Sequence, residues 1–297
     1  MSSKIEWTDE TWNPVTGCDQ ISPGCDNCYA LTMAKRLKAM GSPRYQADGD
    51  PRTSGPGFGV ACHTDALDAS FRWRRPRSVF VNSMGDLFHY GVPNGFIGSV
   101  WDAMARTPRH RYQILTKRPQ RMCALLCEWT KEGSFRDTRM RWVQPKVMPL
   151  PNVWLGTSIE HDHYAFRADM LRVTPAAVRF LSLEPLLEPL PSLNLTRIDW
   201  VIVGGESGPS ARPMHPDWVR DIRDGCIRAG IPFFFKQWGA WIPDDAGPMA
   251  LSAAGTLRTA NQAPESWQRV RKVGKKKAGR VLDGRTWDEM PEDRNHA

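Results

Sequence analysis

Cys18, Cys25 and Cys28 lie in the stretch TGCDQISPGCDNCYA with the spacing Cys-x6-Cys-x2-Cys. Three thiolates can each bind one iron of a cubane [4Fe-4S] cluster and leave the fourth iron open to a small molecule. Gly17, Pro23 and Gly24 let the loop curl round a compact inorganic core. Two other readings compete, a zinc site or three unrelated thiols. Structural zinc takes four ligands, and Cys62-His63 could supply a fourth from a separate stretch of chain. Cys123 and Cys127 are spaced by four on an expected helix, with Leu125 and Leu126 between them, and are read as core residues.

The other side chains with chemical capacity fall where short apolar runs end. These are Asp86, Lys117, Glu160, Glu184, Glu206 and Lys236, with Gly204, Gly205 and Trp238 beside them. Polar caps are ordinary at strand ends, but a carboxylate or lysine at nearly every one points to a shared site. Glu160, Glu184 and Glu206 are candidates to accept hydrogen bonds from an ammonium or ribose hydroxyls, and Asp86, Glu160 and Glu206 to bind a cofactor. Lys117, Glu184 and Lys236 are the candidate catalytic set, the lysines holding a carboxylate or phosphate. Gly204 and Gly205 would let a ligand approach the backbone, and Trp238, with Trp241, could stack on a base. The GGESGP run has neither the Gly-Lys-Ser/Thr of a phosphate loop nor the second glycine of a nucleophile elbow. His161 and His163 flank Asp162 and are read as ordinary polar residues.

Those ends belong to short, nearly unbroken apolar runs at 78–82, 112–116, 153–158, 179–183, 200–204 and 232–236, with an earlier one around 12–16. Such runs predict strands buried on both faces. Helices are predicted over 29–40, 94–105, 119–131, 162–173 and 216–229; the last opens on His215-Pro216-Asp217 and closes on Gly230. Alternation of this kind predicts an α/β fold, a full or partial (β/α) TIM-like barrel. The barrel is expected over 1–242, with a Gly/Pro/Arg-rich insertion at 41–77. A polar extension or lid follows at 243–297, read as solvated or loosely docked, with Val281, Leu282, Trp287 and Met290 as its docking spots.

The chain has 297 residues, 41% hydrophobic and 24% charged, enough for a substantial core. Its seven cysteines without a secretory leader argue for reduced thiols or metal ligands rather than disulfides. No run approaches the roughly 20 apolar residues of a membrane helix, so a cytoplasmic location, in a bacterium or a phage-infected host cell, is expected. A net charge of +8 favours an anionic partner such as DNA, RNA or a nucleotide.

Several motifs occur together in order: IEWTDETWNPVTGC, the three cysteines, GDLF at 85–88, LTKRP at 115–119, GTSIE at 156–160, SLEPLL at 182–187, GGESGP at 204–209, FKQWG at 235–239 and GRVLDGRTWDEMP at 279–291. Through them nearly the whole chain resembles the phage Gp37/Gp68 family, a radical-SAM-like family of unknown function found beside a three-Cys-motif partner protein. The resemblance implies a barrel of the radical SAM type whose open iron takes the amino and carboxylate groups of S-adenosylmethionine. One electron from a reductase or other donor would split the sulfonium into methionine and a 5′-deoxyadenosyl radical, which takes a hydrogen atom from the substrate. Radical SAM enzymes usually space these cysteines Cys-x3-Cys-x2-Cys with an aromatic residue before the last one. Here the first gap is three longer, and Asn27 stands where the aromatic residue would, with Tyr29 just after. The expected function is modification or repair of a nucleic acid or nucleotide. The alternative is a non-catalytic nucleic-acid-binding protein with a structural Fe–S or zinc site, working through Arg72–Arg77 and Lys275–Lys277. Zinc-dependent hydrolysis ranks last, for want of a ligand set.

Overall fold

The apolar runs become seven parallel neighbours. In the computed structural model, which describes residues 5–292, they are β1 (Glu10–Trp12), β2 (Ser78–Val81), β3 (Arg111–Thr116), β4 (Val153–Ser158), β5 (Val178–Leu183), β6 (Trp200–Gly204) and β7 (Phe233–Gln237). Each pairs with the next in sequence, and the sheet curls into a half-barrel flanked by helices. β1 and β7 do not pair, which leaves a seam. The run around 12–16 divides. After Trp12, Pro14 has no N–H to continue a ladder, and Val15–Thr16 turn aside to pair antiparallel with Ala61–Cys62.

The helices are α1 (Tyr29–Ala39), α2 (Asn94–Arg106), α3 (Pro119–Glu132), α4 (Phe166–Val173) and α5 (Pro216–Ala229). The helix expected from 162 is broken, with a 3-10 turn at Asp162–Tyr164 before α4. α3 and α5 both start with proline and stop on a left-handed glycine, Gly133 and Gly230. Stretch 41–77 holds only 3-10 turns and a two-residue strand. Cys123 and Cys127 do not enter the core as expected. Cys127 is exposed, and its sulfur lies 3.7 Å from that of Cys123 on the outer face of α3. The buried thiol is Cys226.

The inside of the half-barrel is filled by Trp7, Phe80, Trp154, Phe180, Trp200 and Phe234. Trp7 crosses from before β1 and meets Phe80 edge-on at 5.0 Å. The larger core packs the helices against the outer face of the sheet. No helix among the described residues is long and apolar enough to cross a membrane.

The C-terminal stretch is more tightly held than expected. β8 (Trp241–Pro243), β9 (Met249–Leu251), β10 (Leu257–Thr259) and β11 (Gln268–Lys272) form an antiparallel sheet in the order β8-β11-β9-β10. After α6 (Lys275–Ala278) the chain runs along the free edge of β7. There Phe235 N–H donates to Trp287 O at 2.9 Å, and Phe234 bridges to Asp288. An unpaired strand edge is a template for such docking. Leu282 and Trp287 are buried and Met290 reaches the barrel interior, while Val281 stays exposed. Residues 1–4 and 293–297 of the two expected units lie outside the described residues.

Asp283 pins this tail to α5 through Arg220 and Arg223. Hydrogen bonds from Arg220, then from Arg223, outweigh its partial burial and hold the Asp283 carboxyl at about 2, against 3.8 for a free one. A depressed carboxylate stabilises the fold above its unfolded pKa, and that contribution fades as pH falls through the folded value. Acid titration between pH 3.8 and about 2 is therefore expected to loosen the tail. Trp287 fluorescence checks this, and Asp283→Asn should flatten the transition.

Candidate functional site

A cavity of about 590 Å³ opens at the ends of the parallel strands, and Cys18, Cys25 and Cys28 all line it. Asp86, Lys117, Glu184, Gly205, Glu206 and Lys236 line it too. Glu160, Gly204 and Trp238 do not. Nine of the twelve candidate residues therefore share one space, but most of the acids have other employment there.

The cysteine loop is held by three acid–arginine pairs whose carboxylates are buried. Asp86 accepts from Thr116 Oγ1 at 2.7 Å, Phe88 N at 2.9 Å and Arg118 Nη1 at 2.9 Å. The same Arg118 nitrogen lies 3.3 Å from Cys18 Sγ, and its Nη2 donates to Asp19 O. Glu160, fully buried, pairs with Arg167 at 3.2 Å and takes the Gly24 N–H at 3.4 Å. Glu206 accepts from Arg212 Nη2 at 2.7 Å, Arg212 Nε at 2.9 Å and Asn27 Nδ2 at 3.0 Å. Arg212 then donates to Pro23 O at 2.8 Å and pairs with Asp26. Burial works to raise the Glu206 pKa, but the Arg212 and Asn27 hydrogen bonds outweigh it and hold the carboxyl below its ordinary value. These carboxylates are positioning groups. Their acceptor capacity goes to arginines and to the loop's own Gly24 and Asn27.

Glu184 and Lys236 form a pair at 2.8 Å on the cavity wall. Lys117 Nζ has no hydrogen-bond or ion-pair partner among the described residues. It is the cavity's available cation. Gly204 and Gly205 are both closely packed. A Cβ on Gly204 would meet the Glu184 carboxyl at 3.3 Å, and one on Gly205 would meet Trp238 O at 2.0 Å. Trp238 is a core residue, its Nε1 bonded to Val281 O and its ring edge-on to Phe235. Trp241 likewise donates to Ala211 O, away from the cavity. The aromatic residues that do line it are Trp7, Tyr29, Phe58 and Phe80. His161 pairs with Glu188 at 2.7 Å and is, as read, an ordinary polar residue.

The donor set fits an iron–sulfur group. All three thiols are free, half-buried and turned to one cavity. Burial and the nearby Asp86 charge push the Cys18 thiol up to about 12, with Arg118 opposing. A thiol so buried becomes a thiolate only by gaining a cation or metal. Cys62 and His63 do not line the cavity; His63 instead contacts Thr16 Oγ1 at 2.8 Å. Among the described residues no three His, Cys, Asp or Glu side chains gather closely enough to hold a single ion. One zinc requires its sulfurs within about 2.3 Å of a common point. Cluster thiolates each bind a different iron, a different geometric requirement.

Sequence reasoning gave no role to Arg118 and Arg212, which bond the loop, to Arg167, which pairs with Glu160 beside it, to the side chain of Asn27 within it, or to Trp7, Asn82 and Gln237, which line the cavity. A local signal existed for two of them: Arg167 and Arg212 follow Glu160 and Glu206 within one short connection.

Residues 2–291 match a family described as "Protein of unknown function (DUF5131)". No curated protein and no solved structure matches the chain.

Proposed function

Since the chain belongs to this family of unknown function, we propose from its site that it is a radical-SAM-like iron–sulfur enzyme. On this reading it cleaves S-adenosylmethionine reductively and acts on a nucleic acid or nucleotide, in modification or repair. The half-barrel is then a radical SAM barrel, and the kinship is with the phage Gp37/Gp68 proteins. One observation carries the reading: three free cysteines turned to one cavity at the ends of a parallel sheet, beside an ion pair and an unpaired ammonium.

Cys18, Cys25 and Cys28 hold the [4Fe-4S] cluster. When bound, it would supply one-electron reduction of the sulfonium, the electron coming from an external donor, and so the means of hydrogen-atom abstraction from a substrate. Glu184 and Lys236, paired to each other on the cavity wall, form with Lys117 the candidate catalytic set. Lys117 binds an anionic group. Asp86, Glu160 and Glu206 keep the cysteine loop in register through their arginines. Trp7, Phe80 and Leu115 make an apolar floor that excludes water. A reductase supplies the electron, and a three-Cys-motif protein is a candidate partner.

Protein purified without oxygen should be brown and hold about four irons per chain. Dithionite with S-adenosylmethionine should release 5′-deoxyadenosine. Cys25→Ala is expected to abolish both colour and release while leaving the circular dichroism unchanged. A fully loaded protein that releases nothing would refute the radical reading.

A further inference from the structure

Two thiols stand apart from the cavity. Cys123 and Cys127 do not line it, and they sit on the outer face of α3. Cys127 is exposed, and Cys123 is half-buried without packing against the core. Their sulfurs are 3.7 Å apart, and neither thiol is in a disulfide. Core packing therefore does not account for the pair. Cβ atoms four residues apart on a helix are separated by about 5–6 Å, whereas a disulfide needs about 3.5–4.5 Å. A direct bond between these sulfurs would require α3 to deform. A bridging atom lifts that restriction. With metal–sulfur bonds of about 2.3 Å, sulfurs 3.7 Å apart subtend roughly 107° at the metal. That is close to the tetrahedral angle zinc adopts.

The surroundings favour a cation. Cys127 Sγ lies 3.9 Å from the carbonyl oxygen of Val173, the last residue of α4. Carbonyls in a helix's last turn lack intrahelical donors and carry the negative end of its dipole. Arg172, the basic residue of that turn, is engaged elsewhere, by Asp169 and by the carbonyls of Asn194 and Thr196. Partial burial, then the hydrogen bond and charge of Cys123, push the Cys127 thiol up. Cys127 therefore keeps its proton near neutral pH until a cation displaces it.

We infer that Cys123 and Cys127 form a second metal site, a two-thiolate chelate for one soft cation of the zinc, cadmium or copper(I) class. Paired sulfurs select soft ions, whereas magnesium and calcium require oxygen donors. Among the described residues no third His, Cys, Asp or Glu side chain joins the pair. Two protein ligands leave the other positions of the ion open to solvent. A closed structural site has four, so this one holds metal that exchanges. The site lies outside the function proposed above and does not rest on it.

Cadmium titration of the full, reduced chain tests this, read by the ultraviolet thiolate-to-metal absorption. The cavity cysteines also attract soft ions, so the measurement is the difference between wild type and Cys123→Ser/Cys127→Ser. Wild type should bind one equivalent more. Cys127→Ser alone should weaken that equivalent by more than the about 10–100-fold that loss of an outer-shell partner costs. It replaces an exposed side chain and keeps the test valid if the double variant fails to fold. Zinc or copper(I) should displace the extra cadmium, and calcium and magnesium should not. Equal stoichiometry in wild type and double variant, or an extra equivalent that survives Cys127→Ser, overturns the inference. So does a Cys123–Cys127 disulfide that forms readily with oxidised glutathione at unchanged helicity, since the pair is then a redox couple. Iron content and 5′-deoxyadenosine release separate the two ideas. The double variant should match wild type in both, and loss of iron in it overturns a separate site. Loaded, cofactor-cleaving protein without the extra cadmium sinks only this inference; iron-free protein that binds it sinks only the radical reading.

Discussion

Glu160→Ala is expected to destabilise the chain by about 3–5 kcal/mol, the usual cost of stripping one partner from a buried ion pair. Glu160 is 0% exposed and its partner Arg167 2%. Without the carboxylate, the guanidinium keeps one neutral acceptor, Ser158 O at 2.9 Å, and stays buried beneath the cysteine loop. The Gly24 N–H also loses its acceptor, between Pro23 and Cys25. Urea denaturation measures the first effect and iron retention the second. The double variant Glu160→Leu/Arg167→Met separates them. Replacing both charges by apolar groups of similar size is often close to neutral, so stability should largely return. If the pair serves only the fold, iron binding should return with it. We expect it to stay low, because the leucine cannot accept from Gly24.

Gly205→Ala should cost roughly 3 kcal/mol or more, through overpacking against backbone that cannot retreat. The added Cβ would stand 2.0 Å from Trp238 O. Opposite it, a Cβ on Gly239 would stand 2.2 Å from Glu206 O. The connections after β6 and β7 thus cross backbone against backbone, and this crossing sets Glu206 under the cysteine loop. Gly204→Ala is the control. Its nearest new neighbour is the end of the Glu184 side chain at 3.3 Å, and a side chain can shift, so the cost should stay below about 1.5 kcal/mol. Thermal melting of both variants is the measurement; equal costs would show that the crossing is not what demands glycine.

Both outcomes concern residues whose type was apparent from the chain but whose task was not. Glu160 and Gly205 stand out as strand-end residues, and a strand end on a parallel sheet is a reasonable place for a ligand. What they contact depends on an arginine in the next helix in one instance and a neighbouring loop in the other. Trp238 is a parallel case. A tryptophan next to a glycine-rich turn reads as a stacking platform until the tail at Val281 closes over its indole N–H. Cys123 and Cys127 went astray for a related reason: spacing of four places two thiols on one stripe of a helix, but not which stripe faces the sheet.

Linear order was enough for whatever local physics decides. Continuous β-branched and aromatic runs can satisfy themselves only inside a parallel sheet, and proline-to-glycine bracketing sets helix length. Both were legible, with ends shifted by a residue or two except at the first run, which divided, and at α4, which starts four residues later than expected. So was the placing of Cys18, Cys25 and Cys28 on one short loop, within eleven consecutive residues; their turn toward one cavity was left to the fold, since ten extended residues can span roughly 33–36 Å. Folding alone assigned the charges. A buried carboxylate must find a cation, and which arginine reaches it follows from sheet curvature and helix placement, which no short window of residues encodes. That is why three acids became clamps and one lysine was left available.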